Sequence, residues 1–173
     1  PEVLQELARP QIGHRFPECA ELISSIIPMV QKMLYTKNMI FLSTSSGTGL
    51  MEASVRNCVR ESCVSFVNGA FSKRFCQIAQ ANGKKAVAVE IEPGRGFNAD
   101  MVDKALSQNK GVDAITIVHN ETATAAMSDI YGIADMMKAK YPEISILVDM
   151  VSSMGGVKLE IDRLGVDVAL ASS

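Results

Sequence analysis

The sequence predicts an α/β fold, a three-layer α/β/α domain on a mostly parallel sheet. Two observations carry that expectation. Short apolar runs such as SCVSFV, DAITIV and ISILVD alternate with stretches of helical spacing. The runs are apolar nearly throughout, as in strands covered by helices on both faces. Helices between successive strands also suit parallel pairing, which needs a crossover connection.

The elements follow in order. Residues 17–34 have helical spacing, with Pro28 as a site for a kink. Residues 39–43, MIFLS, read as a buried strand leading into a helix over 49–59, with Leu50, Ser54, Val55 and Cys58 on one side. SCVSFVNG (62–69) is a strand ending in a turn. A helix over 71–83 then carries Phe71, Phe75, Ile78 and Ala79, with Gly83 just past its end. KAVAVEIE (85–92) alternates as a strand, and Asn98 is a good N-cap for an amphipathic helix over 98–109. Further strands are expected at 113–120, 144–150 and 166–172, and a helix over 128–140. No internal repeat, low-complexity tract or linker interrupts the pattern.

Composition narrows the function. The 173 residues hold 17 Lys+Arg against 19 Asp+Glu, a net charge of -2. No basic block runs along any segment, so no nucleic-acid partner is expected. No apolar stretch approaches the ~20 residues of a membrane span, and PEVLQELARP lacks a signal-peptide core, so a cytoplasmic protein with no membrane partner is expected. Cys19, Cys58, Cys63 and Cys76 show no C-x-x-C spacing, and neither His14 nor His119 sits beside a cysteine. No metal site is expected, and the thiols read as reduced.

Ligands of parallel sheets sit outside the carboxyl ends of the strands, so chemistry is sought there. After 39–43, the turn Ser45-Ser46-Gly47-Thr48 places backbone amides and hydroxyls at a helix N-terminus, which favours an anion. It lacks Gly-Lys-Ser/Thr and G-x-G-x-x-G, and the next strand ends in Asn68, not in an acid suited to a ribose. A plain capped helix fits the same residues. VNGAFSKR delivers Phe71 straight after a turn, either as a ligand platform or as the first core residue of its helix. HNETATAA offers Glu121, Thr122 and Thr124 for a polar ligand edge or a helix cap, and His119 reads most simply as a satisfied, partly buried histidine. ISILVDMVSS drives an apolar strand into Asp149, a carboxylate that loses solvation and needs a cationic or hydrogen-bonding partner. A helix N-terminus or an arginine would serve, as would a positively charged ligand atom. A ligand with a phosphate, a flat ring, a cationic ring nitrogen and a polar substituent satisfies all four ends. Pyridoxal phosphate has these features, and a carboxylate beside its pyridine nitrogen would keep the ring electron-withdrawing.

The segments SSGTGLMEASVRN, VNGAFSKRF, VHNETATAA and LVDMVSSMGGVKLEIDRLGVDVALASS, with ARPQIGHRFPE before them, closely resemble class V pyridoxal-phosphate-dependent aminotransferases, in particular the alanine–glyoxylate and serine–pyruvate group. The resemblance covers essentially the whole chain. It implies the large domain of fold-type I enzymes over 39–173, preceded by an N-terminal lead-in segment and helix over 1–38. It also implies cofactor phosphate at Ser46, Gly47 and Thr48, ring stacking on Phe71, and Thr122 at the ring's phenolic oxygen. Asp149 would partner the pyridine nitrogen, with Val151 on the opposite ring face. His14, Arg15 and Ser153 correspond to positions near the substrate. Two departures stand out: Phe71 replaces a frequent Trp, and Ala125 stands where Gly is common.

Family members continue past Ala171-Ser172-Ser173 into a segment bearing the Schiff-base lysine. The chain is therefore expected to be the N-terminal half of a transaminase, ending before that lysine and inactive alone. The implied activity moves an amino group from a small amino acid of alanine or serine type to a small 2-oxo acid of glyoxylate or pyruvate type, in a homodimer. Two alternatives stay open. One is a cysteine desulfurase-like or other class V lyase, disfavoured because those enzymes usually stack a histidine on the ring. The other is an inactive remnant acting only by association.

Overall fold

The computed structural model describes residues 1–172. In chain order the elements are α1 (Glu2–Leu7), α2 (Pro17–Met33), α3 (Gly47–Cys58), β1 (Ser62–Val67), α4 (Ala70–Ala81), β2 (Lys85–Glu90), α5 (Ala99–Gln108), β3 (Ala114–Val118), β4 (Asn120–Glu121), β5 (Ala126–Met127), α6 (Ile130–Lys140), β6 (Ser145–Asp149), α7 (Ile161–Leu164) and β7 (Val168–Leu170). Five strands form one parallel sheet in the order β2-β1-β3-β6-β7, and β4 and β5 form a small antiparallel pair.

The doubly apolar strands divide their side chains between two faces with period two. Val64, Phe66, Ile115, Ile117, Ile146 and Val148 pack with residues of α5, α6 and α7. Cys63, Ala114 and Leu147 face the other way and pack with α3 and α4. This is the three-layer arrangement that the sequence predicts. The chain moves from β1 to β2 through α4 on one face, then returns past β1 to β3 through α5 on the other. A reversal of direction requires that change of face if both crossovers keep the same hand. The carboxyl ends are brought level by the pairing of Val118 with Asp149 and of Asp149 with Leu170.

Asn98 caps α5 as expected, accepting from the Met101 N–H at 3.0 Å. The expected strand at 39–43 is absent. No sheet residue pairs with it among the described residues, and Met39 and Phe41 are 76% and 82% exposed. An apolar run reports a preference for burial, but a strand also needs a neighbour for its backbone groups. The helix α2 continues through Pro28 to Met33. No helix among the described residues is long and apolar enough to cross a membrane.

Candidate functional site

A cavity of about 310 Å³ opens at the carboxyl ends of the sheet strands, near the lower end of the ~300–1,000 Å³ usual for small-molecule sites. Ser46, Gly47 and Thr48 line it from the start of α3, Phe71 from α4, Thr122 from the β4–β5 turn, and Asp149 and Val151 from the end of β6. All seven positions proposed for a ring-and-phosphate ligand thus converge on one space.

The α3 turn is built to receive an anion. Ser46 is the N-cap, its hydroxyl accepting from the Gly49 N–H at 3.2 Å. The Leu50 N–H returns to the Ser46 carbonyl at 3.0 Å. The amides of Gly47 and Thr48 have no acceptor among the described residues, as expected at a helix N-terminus. A Cβ on Gly47 would lie 3.1 Å from Val151 Cγ2 and 3.3 Å from Ser172 Oγ, so a side chain there would crowd the cavity wall.

Phe71 is 37% exposed and is not a core residue of its helix. Its position is fixed from behind by Glu121, which is fully buried. One carboxylate oxygen of Glu121 accepts from the N–H groups of Phe71 at 3.2 Å and Ala123 at 3.3 Å. The other accepts from the Ser72 N–H at 2.9 Å and lies 2.9 Å from the Ser72 hydroxyl. Glu121 therefore ties the start of α4 to the turn bearing Thr122 and satisfies orphan helix donors. Gly69 leaves room for it: a Cβ there would lie 2.4 Å from Glu121 Cγ. Thr122 itself is exposed. Ala125 closes the turn with φ of 54°, holding the left-handed conformation for which glycine is the easier choice.

Asp149 is 3% exposed, with Oδ1 accepting from the Val151 N–H at 2.8 Å. That backbone bond is its only protein partner among the described residues, and no arginine approaches it. Burial, reinforced by the nearby Glu121 charge and offset in part by the Val151 N–H, raises its pKa above the ordinary carboxylate value. A positive group in the cavity would reverse that shift.

Three further candidates fall outside the cavity lining. His14 and Arg15 are exposed in the turn before α2. The helices on either side of that turn contain no buried residues. Ser153 is buried, 2.9 Å from His119 Nδ1, where the pair joins the β6 turn to the end of β3. Burial lowers the His119 pKa. These two act on each other and not on the cavity. Conversely, the lining includes Asn120, Ser152 and Ser172, which were not singled out. The first two are bonded, with Asn120 Nδ2 donating to Ser152 Oγ at 2.8 Å. Asn120 and Ser152 sit at two of the four strand ends considered above and Ser172 just after β7, but single polar residues there give no signal of their own.

Residues 30–173 match the family model described as aminotransferase class-V. The chain belongs to the class-V aminotransferase family. It is 34% identical to an uncharacterized aminotransferase of Methanocaldococcus jannaschii, covering 100% of this chain and 45% of that protein. Identity is 33% to an L-aspartate–glyoxylate aminotransferase of Paracoccus denitrificans, over 99% of this chain and 45% of that one. The alanine–glyoxylate aminotransferase structure from Nostoc sp. superposes with a TM-score of 0.92 at 28% identity, covering 99% of this chain and 45% of that chain. The class-V chain thus spans under half the length of the relatives it matches. The family depends on pyridoxal phosphate, and the cavity suits that group on its own terms. Among the described residues it has two unpartnered amides at a helix start, a partly exposed aromatic ring, and a buried carboxylate lacking a cation.

Proposed function

We propose that the whole protein is a pyridoxal-phosphate-dependent transaminase, moving an amino group from a small amino acid of alanine or serine type to a small 2-oxo acid of glyoxylate or pyruvate type. The observation that carries this reading is the convergence of the α3 turn, Phe71 and Asp149 on one cavity. Glyoxylate recurs in the names of two of the three relatives above, whereas their amino donors differ. When bound, pyridoxal phosphate supplies the electron sink for amino-acid chemistry. The Gly47 and Thr48 amides and the nearby hydroxyls would hold its phosphate. Phe71 and Val151 would pack against the ring, Thr122 would bond its phenolic oxygen, and Asp149 would keep the ring nitrogen protonated. Glu121 presets the backbone at Phe71, which lowers the ordering cost of binding. The proton-transferring lysine is sought beyond Ser173, and the working form is a cytoplasmic homodimer.

The desulfurase-like alternative needs a reactive thiol near the ring. Among the described residues no cysteine lines the cavity, and burial pushes the Cys63 thiol up to about 11, with opposing help from Ser65 outweighed. The test is an absorbance titration of the intact protein with pyridoxal phosphate. It is followed by an assay of alanine, serine and aspartate as donors to glyoxylate and pyruvate, and of cysteine as a source of sulfide. Saturable binding with transfer from at least one donor is expected; sulfide release without transfer, or no binding by a folded protein, overturns the reading.

A further inference from the structure

A phosphate ester brings ~1.5–2 negative charges at neutral pH. The α3 N-terminus offers the equivalent of only about half a positive charge. The amides and hydroxyls of Ser46, Gly47 and Thr48 add hydrogen bonds and no net charge. Among the described residues no lysine or arginine lines the cavity, and Asp149 on its wall and Glu121 behind Phe71 are both acids. The described site is therefore short of positive charge for the anion its turn is shaped to hold.

One guanidinium stands at the rim. Arg74 follows Phe71 by three positions on α4, so the two side chains share a helix face. Its Nη1 approaches Thr48 Oγ1 at 3.4 Å, the outer limit of hydrogen bonding. Its Cζ lies 5.8 Å from the centroid of the Phe71 ring, within range of a cation–π contact. Arg74 takes part in none of the ion pairs among the described residues. A cation without a carboxylate partner thus bridges the anion-receiving turn and the stacking ring. A planar fork with several donors suits a phosphate oxygen better than a single ammonium does.

We propose that Arg74 is a binding residue for the cofactor phosphate, supplying the charge that the α3 turn lacks and holding that turn against the Phe71 platform. The inference rests on the pyridoxal-phosphate reading and adds a specific anchor to it. Arg74 is exposed, so its contribution is moderate and sensitive to salt.

The test compares pyridoxal 5′-phosphate with phosphate-free pyridoxal as probes. Dissociation constants are measured by absorbance titration of the intact wild type, Arg74→Ala and Arg74→Lys, each checked for fold by circular dichroism. Arg74→Ala should weaken pyridoxal 5′-phosphate by roughly three- to ten-fold at low salt, with a smaller loss at high salt. It should leave pyridoxal unchanged, and Arg74→Lys should recover part of the loss. Equal weakening of both probes would mean that Arg74 acts only through Phe71, and it overturns the proposal. So does an unchanged constant for pyridoxal 5′-phosphate in a wild type that binds it, a result that spares the cofactor reading. A folded wild type that binds neither probe removes both.

Discussion

Asp149 is held where an ionised carboxyl is poorly stabilised, and this has a measurable sign. Its folded-state pKa is raised, first by burial, so ionising it disfavours the fold. The penalty is absent below the ordinary aspartate range near pH 3.8 and develops as pH rises from there through the raised value. Asp149→Asn keeps an oxygen for the Val151 N–H and removes the charge. The variant without ligand should melt at a higher temperature than the wild type at pH 7, and the two should converge near pH 3. It should also lose affinity for pyridoxal phosphate at pH 7, because no carboxylate remains to hold the ring nitrogen protonated. Thermal melts at both pH values, beside a cofactor titration, check these outcomes. Asp149 and Phe71 were legible because one ends a buried strand and the other follows one, and the 46–48 turn because its small polar residues open a helix. Arg74 was not, and Glu121 was marked only for a ligand edge or a helix cap, because their contacts span 26 residues in the first case and 50 in the second. No local pattern records such contacts.

The start of β1 is held by Asp113, the residue immediately before β3. Its carboxylate accepts from the N–H groups of Arg60, Glu61 and Ser62 at 2.9, 2.8 and 3.2 Å. Burial pushes its pKa up, but the three backbone donors outweigh that and hold it below the ordinary value. The stabilisation is fully present above the ordinary aspartate range and is lost as pH falls through the lowered pKa. Asp113→Ala should cost about 1 kcal/mol at pH 7, the scale of a lost cap, moderated by solvent access. The gap should narrow below pH 3, as followed by denaturant midpoints at several pH values. Elements with a strong period, such as α4 and α5, appear within a few residues of their expected bounds. The 39–43 run fails as a strand because pairing is a property of two segments. The β4–β5 pair escaped notice because two-residue strands have no period to detect.

At the scale of the whole molecule, the N-terminal helices α1 and α2 stand apart from the core. Neither α1 nor α2 contains a buried residue, and Leu22, Ile23, Met29 and Met33 are exposed on α2. The segment after α2 is nevertheless tied down. Asp162 accepts from Thr36, from the Lys37 N–H at 2.9 Å and from Asn38 Nδ2 at 2.9 Å, while the Ile161 N–H donates to the Leu34 carbonyl at 3.1 Å. An apolar face of this kind on an anchored helix suits the proposed homodimer. Replacing Leu22 and Met29 together by Glu should shift the intact protein from dimer to monomer in sedimentation velocity, with far-ultraviolet circular dichroism unchanged. An unaltered mass would mean that something other than a second copy covers the face. The sequence by itself determined the layered α/β class, the strand ends where ligands gather and the residue types found there. These follow from hydrophobic period and from the solvation needs of charged groups, which are local properties of the chain. Only the tertiary structure decided that seven of those residues share one cavity, that His14, Arg15 and Ser153 lie outside it, and that Glu121 and Arg74 support it. Those outcomes depend on strand order, helix placement and close approach between distant segments, which hydrophobic spacing alone does not specify.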